Sequence, residues 1–191
     1  IRTPDPMAQM LASVMFDLRP IHGERSLFEG LQAETLARAR RNSIFVAHMI
    51  AMAMKNQPPL GLLGGLSTIR SGEHKDMLDL KHAGVAPVVD IARIYALMGE
   101  IPAVGTRDRL AAAREKKVVS EAGAHDLLDA YDLICELRLE LQARQVRNRE
   151  KPGNFIAPRS LSALERNHLR EAFVVIKTMQ SALGQGRAVL A

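Results

Sequence analysis

The sequence has no tryptophan, and aromatic residues make up only 4% of it. Sheet-rich folds draw on aromatic and β-branched side chains. Their scarcity leaves Ala, Leu and Met to fill the core, which favours helices over a β-sandwich. There is one cysteine, Cys135, in the apolar run Leu133-Ile134-Cys135. A single thiol excludes an internal disulfide and fits a reducing compartment, the cytoplasm. Nothing around it marks a reactive thiol, so it reads as a packing residue. No apolar run reaches the roughly 18–20 residues that span a bilayer. The longest candidate, Ser43 to Lys55, is too short and includes His48. No signal peptide is visible. The chain opens "IRTPDPM" rather than with Met, as a fragment of a longer polypeptide would.

Motifs that carry catalysis are missing as well. There is no nucleophile elbow, no HExxH and no paired CxxC. Gly61, Gly64 and Gly65 lack the Gly-Lys-Ser/Thr ending of a phosphate loop and read as a plain turn.

What is present is ordinary for a water-soluble domain: 47% hydrophobic and 25% charged residues over 191 positions. The formal charge of +5 points to an anionic partner such as phosphate, nucleotide, nucleic acid or an acidic protein. Arg outnumbers Lys, and Arg grips phosphate or carboxylate bidentately. Any single Arg is still best read as part of a solvated helix face.

Apolar spacing outlines a series of helices. Asp5-Pro6 can open the first, and Met10, Leu11, Val14, Met15 and Leu18 share one of its faces. A second runs from Glu24 to Arg40, and Arg41 to Ser43 either marks a break or lets the helix run on. Ile44 to Met54 is apolar nearly all round and is expected to be a central helix. Pro58, Pro59 and three glycines stop it. A small β-hairpin fits 66–81, where Leu78 to Lys81 alternates. Val85 to Met98 is a strong helix with Pro87 in its first turn. Thr106 would cap a short helix to Lys117, and Ser120 a long one to Arg147. A polar loop follows, from Arg147 to Ser160. Ser162 and Glu165 form a capping box for the last helix, which ends at Gly184. Short loops between long helices imply one all-α domain, an antiparallel helical bundle.

Several polar constellations interrupt this pattern. Glu165 and His168 form an ExxH, but no second pair accompanies it, so a surface pair is favoured over a di-metal site. His125, Asp129, Asp132 and Glu136 line one helix face, read first as an exposed acidic stripe. Two denser clusters remain. In "FDLRPIHG", Asp17, Arg19, His22 and Gly23 sit at a helix end, where backbone N–H groups and an arginine could meet an anion. In "SGEHKDMLDLK", Glu73, His74, Lys75, Asp79 and Lys81 crowd eleven residues. His74 and Lys75 could hold phosphate oxygens while Glu73 and Asp79 orient them or hold a metal, but the pattern alone favours a solvated turn. Asp90 and Arg93, one turn apart, are either a buttress or a simple ion pair.

These stretches, with "PPLGLLGG", "GVAPVVDIARIYAL" and "LSALERNHLREAF", occur in an order that resembles the putative nucleotidyltransferase substrate-binding domain family of bacterial signalling proteins. The resemblance runs from about Met7 to Leu183. It implies a helical domain like the C-terminal domain of aminoglycoside nucleotidyltransferases, with a four-helix core and extra helices. It also implies a parent chain with an upstream nucleotidyltransferase domain and, further upstream, CBS and cyclic-nucleotide-binding-like domains, similar to the protein uridylyltransferases. Catalysis, with Mg²⁺ and a nucleoside triphosphate, would then belong to that upstream domain, and this chain would be the C-terminal, accessory piece with no cofactor of its own. On this resemblance Asp17, Arg19, His22, Gly23, Glu73, His74, Lys75, Asp79 and Lys81, buttressed by Asp90 and Arg93, face the upstream active site and close a cleft over nucleotide or acceptor protein. The competing reading is a protein-interaction or homodimerisation module. Few aromatics and no basic runs argue against nucleic acid.

Overall fold

The computed structural model describes residues 11–62 and 64–186. It is all-α apart from one two-stranded sheet. Helix α1 spans Arg25–Arg41, α2 Ser43–Ala53, α3 Ala86–Met98, α4 Thr106–Glu115, α5 Glu121–Arg147 and α6 Ala163–Gly184. Strands β1 (Leu78–Asp79) and β2 (Phe155–Ile156) pair antiparallel, with Leu78 opposite Ile156 and Asp79 opposite Phe155. Among the described residues no helix is long and apolar enough to cross a membrane. The chain divides into two compact units. The first is Ile1–Lys55, Val89–Ala124 and Ala182–Ala191; the second is Asn56–Val88 and His125–Ser181.

Helix ends follow local chemistry. The break between α1 and α2 falls at Asn42, whose side chain accepts the Phe45 N–H at 3.0 Å. Arg38, Arg40 and Arg41 crowd the last turn of α1, where the helix dipole favours cations. Ser120 Oγ accepts the Gly123 N–H at the start of α5. The capping box of α6 is reciprocal: Ser162 N–H donates to Glu165 and Glu165 N–H donates to Ser162 Oγ. Thr106 does not cap α4. Gly105 holds the cap position without a side-chain bond, and Thr106 is the first helical residue.

Three further expectations are corrected. Helix α2 is not central: only Phe45, Met49 and Ala53 are buried, while Ile44 is 69% exposed. Its composition is uniform, but the unit covers one face only. The first helix has a described α-helical part at 11–14 and closes with a 3₁₀ turn, Met15–Asp17. Asp5, Pro6 and Met10 lie outside the described residues. The face carrying Leu11, Val14, Met15 and Leu18 is exposed, and Ser13 is buried instead. The local hairpin over 66–81 is reduced to two backbone bonds, Ile69 N–H to Met77 and Asp76 N–H to Ile69. The strand pairing goes to Phe155–Ile156, inside the loop expected to be only polar.

The first unit has its core on α3 and α4, around Ile91, Ile94, Tyr95, Leu97 and Leu110. The second buries Leu78, Leu80, Leu127, Ile134, Ile156 and Phe173. There the chain enters α3 through a π-turn, Lys81–Val85, closed by Val85 N–H to the Leu80 carbonyl. Pro87 gives a reason for the wide turn. Its ring crowds the carbonyl four residues back and it has no N–H to donate, so a regular α-turn at Ala83 is disfavoured.

Candidate functional site

In the first unit, Asp17 stands at the end of the 3₁₀ turn and is gripped by two arginines. Arg93 Nη2 donates to Asp17 Oδ2 at 2.7 Å and Nε to Oδ1 at 3.4 Å. Arg109 Nη1 lies 2.8 Å from Asp17 Oδ1. Arg93 also donates to Asp90 Oδ1 at 2.9 Å. Arg109 completes its fork on two carbonyls, Phe16 at 2.7 Å and Ala103 at 2.8 Å. Two carboxylates thus face two guanidinium groups, and the charges balance. Both arginine side chains are buried, Arg109 to 2% exposure. The cavity beside them is about 70 Å³, lined by apolar side chains such as Phe16, Leu36 and Leu97. That holds a few waters and falls far short of the roughly 300–1,000 Å³ of a ligand pocket.

The environment splits the two carboxyls. Burial would raise the Asp17 carboxyl, but the bonds from Arg93 and Arg109 hold it below the ordinary value. Burial dominates at Asp90 and pushes its carboxyl up; Arg93 opposes this and the Asp17 charge adds to it. Burial lowers the Arg109 guanidinium, with Asp17 working against the shift. The rest of the "FDLRPIHG" cluster stays apart from this network. Arg19, His22 and Gly23 are exposed, and Gly23 takes a φ of +107°, which only glycine adopts without strain.

In the second unit the dense stretch is a turn that leads into β1. Glu73, Lys75 and Lys81 are exposed, and their side chains have no bonding partner among the described residues. The His74 ring stacks on Phe155, with centroids 3.5 Å apart and planes within 15°. Asp79 is structural in part: its Oδ1 accepts the backbone N–H groups of Lys81 and His82, each at 3.0 Å. Its Oδ2 lies 2.7 Å from His82 Nδ1. Asn154 ties β2 down, because Arg138 Nε donates to its side chain at 2.6 Å and Leu80 N–H donates to its carbonyl at 2.9 Å.

The structure therefore joins Asp17, Asp90 and Arg93 in one network, and His74 and Asp79 to one small sheet. Three participants went unread in the sequence: Arg109, His82 and Phe155. Arg109 had a signal, since it shares a buried face of α4 with Leu110 and Ala113. Asp79 and His82 have the i, i+3 spacing of a capped turn. Phe155 had none, because its partner lies 76 positions earlier.

The other constellations settle into ordinary roles. Glu165 is bound in its capping box, while His168 is exposed on α6. His125 and Asp129 lie 3.4 Å apart on the exposed face of α5. Among the described residues no group of three or more His, Cys, Asp or Glu is placed to hold a metal ion.

Residues 43–186 match the family described as "Putative nucleotidyltransferase substrate binding domain". The match starts after Phe16–Gly23, so that stretch stands outside it. No curated protein and no solved structure matches the chain.

Proposed function

We propose, since the chain belongs to the putative nucleotidyltransferase substrate binding domain family, that it is the accessory domain that holds substrate for an upstream nucleotidyltransferase domain. Binding falls to the second unit. The observation that carries this is the contrast in charge: Glu73, Lys75 and Lys81 are exposed and, among the described residues, unpaired beside a fixed sheet, while Asp17, Asp90 and Arg93 are already matched to each other. Unpaired lysines next to a stacked ring suit a phosphate-bearing ligand with a planar group. Asp17, Asp90 and Arg93 act as a brace for the first unit, and Arg19 and His22 contact the neighbouring domain. Mg²⁺ and the triphosphate's reacting end belong to the catalytic domain, with this chain closing over them.

The test is calorimetric titration of the 191-residue chain with Mg²⁺-bound ATP, UTP, CTP and GTP. Binding that Lys75→Ala weakens at least about tenfold supports the reading. Binding that survives Lys75→Ala and Lys81→Ala together would sink it.

A second reading has its own observation. Leu11, Val14, Met15 and Leu18 form an exposed apolar ridge, 44–60% accessible, joined in sequence by Ile21 at 97%. Such a ridge suits a protein partner or a second copy of the chain. Sedimentation across a concentration series distinguishes the two: a dimer that Val14→Asp dissociates assigns the ridge to self-association.

A further inference from the structure

His82 has no motif in the sequence and stands out only in the folded chain. It sits on the π-turn and is held in one pose. Asp79 Oδ2 lies 2.7 Å from its Nδ1. The carboxylate is itself fixed, because Asp79 pairs with Phe155 in the sheet and its side chain is only 18% exposed. The turn beneath is pinned as well. Leu80 N–H bonds the Asn154 carbonyl, and a Cβ on Gly84 would lie 2.9 Å from Ile134 Cγ2.

Stability does not explain the pair. Two backbone N–H groups already bind Asp79, and a contact with so exposed a ring adds little stability. The His82 side chain is 65% exposed. What the carboxylate does is select the tautomer. A carboxylate only accepts, so it favours the tautomer with hydrogen on Nδ1, which in the neutral ring leaves the lone pair on Nε2. Nε2 meets no bonding partner among the described residues. An imidazole oriented by a carboxylate, with its second nitrogen open, has the geometry of a general base.

The surroundings suit the task. Lys81 adjoins His82 in sequence, and the His74–Phe155 stack adjoins Asp79 through the β1–β2 register. We propose that His82, oriented by Asp79, accepts the proton of a hydroxyl-bearing acceptor substrate during nucleotidyl transfer. This rests on the substrate-binding reading above. The acceptor O–H proton passes to His82 Nε2. The acceptor oxygen forms a bond to the α-phosphorus of a nucleoside triphosphate, the co-reactant. The bond from that phosphorus to the bridging oxygen breaks, and pyrophosphate leaves with the electron pair. The Nδ1–H stays on His82, donated to Asp79, whose carboxylate stabilises the imidazolium.

The test uses the full chain and diethyl pyrocarbonate, which acylates an imidazole nitrogen that has a free lone pair. His22 and His168 are exposed and serve as internal references. His82 is expected to acylate at least about fivefold faster than either. Asp79→Asn should bring it to their rate and leave theirs unchanged. Because Asp79→Asn also removes a charge beside the turn, the wild-type chain gives a second reading. Two-bond ¹H–¹⁵N spectra should show hydrogen on Nδ1 and none on Nε2 in the neutral ring. A His82 no faster than the references, or hydrogen on Nε2, overturns the proposal. A fast, Nε2-unprotonated His82 in a chain that binds no Mg²⁺-nucleotide would overturn its role in nucleotidyl transfer together with the substrate-binding reading, and leave the base itself intact. Binding with a slow His82 would do the reverse.

Discussion

Asp17, Asp90, Arg93 and Arg109 in the first unit, and Glu73, Lys75, Asp79 and Lys81 in the second, are both dense in charge, yet they dispose of it in opposite ways. In the first, every charge faces an opposite charge and both arginines are buried. In the second, among the described residues, Asp79 is engaged by a turn and a histidine, while both lysines and Glu73 meet solvent. The difference separates bracing from binding. A matched, desolvated network leaves no charge for a ligand and is costly to break. An open cluster adds little stability, and its charges remain to be matched from outside. Density of charge in a sequence therefore does not distinguish the two; what distinguishes them is whether the chain supplies its own counter-charges.

The comparison breaks most visibly at Arg109. Arg109→Ala removes bonds to Asp17, Phe16 and Ala103 from a buried site, and is expected to cost about 3–5 kcal/mol, read as a fall in the circular-dichroism melting temperature. A smaller loss, about 1–3 kcal/mol, is expected for Gly84→Ala, whose Cβ would press on Ile134 and Phe173 under the π-turn. It should loosen the open cluster from below, and weaker hydrogen-exchange protection at Leu80 and Val85 would report it.

Asp17→Asn sharpens the comparison through pH. The folded carboxyl titrates below its ordinary value of 3.8. Its stabilisation is present above the unfolded value and is lost as pH falls through the folded one. Because Asp17 is 37% exposed, the cost at neutral pH is put at about 1–3 kcal/mol. The gap from wild type should start to narrow near the ordinary value and close only once pH has fallen through the lower, folded one in a pH series of melts. Asp90 has the opposite sign. Its raised folded carboxyl stabilises below the ordinary carboxylate range, and that stabilisation is lost as pH rises. Asp90→Asn, which keeps an acceptor for Arg93, should then be near neutral at pH 7. The smallest effect belongs to the open cluster: Lys75→Ala and Lys81→Ala should each move stability by less than about 0.5 kcal/mol.

Much of the fold was legible because helix signals are local. The capping box at Ser162 and Glu165, the Ser120 cap and the apolar period of Val85 to Met98 each act within a few residues. What failed was set by distant contacts. The pattern of α2 says apolar all round, yet burial depends on what the rest of the unit can cover. The 66–81 hairpin lost its strand to Phe155–Ile156, which the sequence of either segment does not announce. The candidate residues were legible as types and not as roles. Asp90 and Arg93 read equally as buttress or ion pair, and only Asp17 and Arg109 make them a network. His82 was hidden because its meaning depends on the Asp79 rotamer.

The most direct measurement is ¹H–¹⁵N correlation mapping of the chain as Mg²⁺-bound nucleotide is added. Shifts are expected to concentrate at 72–82 and 153–156, with the amides of Asp17, Asp90 and Arg93 unmoved. Shifts centred on Asp17 and Arg93, with the 72–82 turn silent, would contradict binding by the second unit.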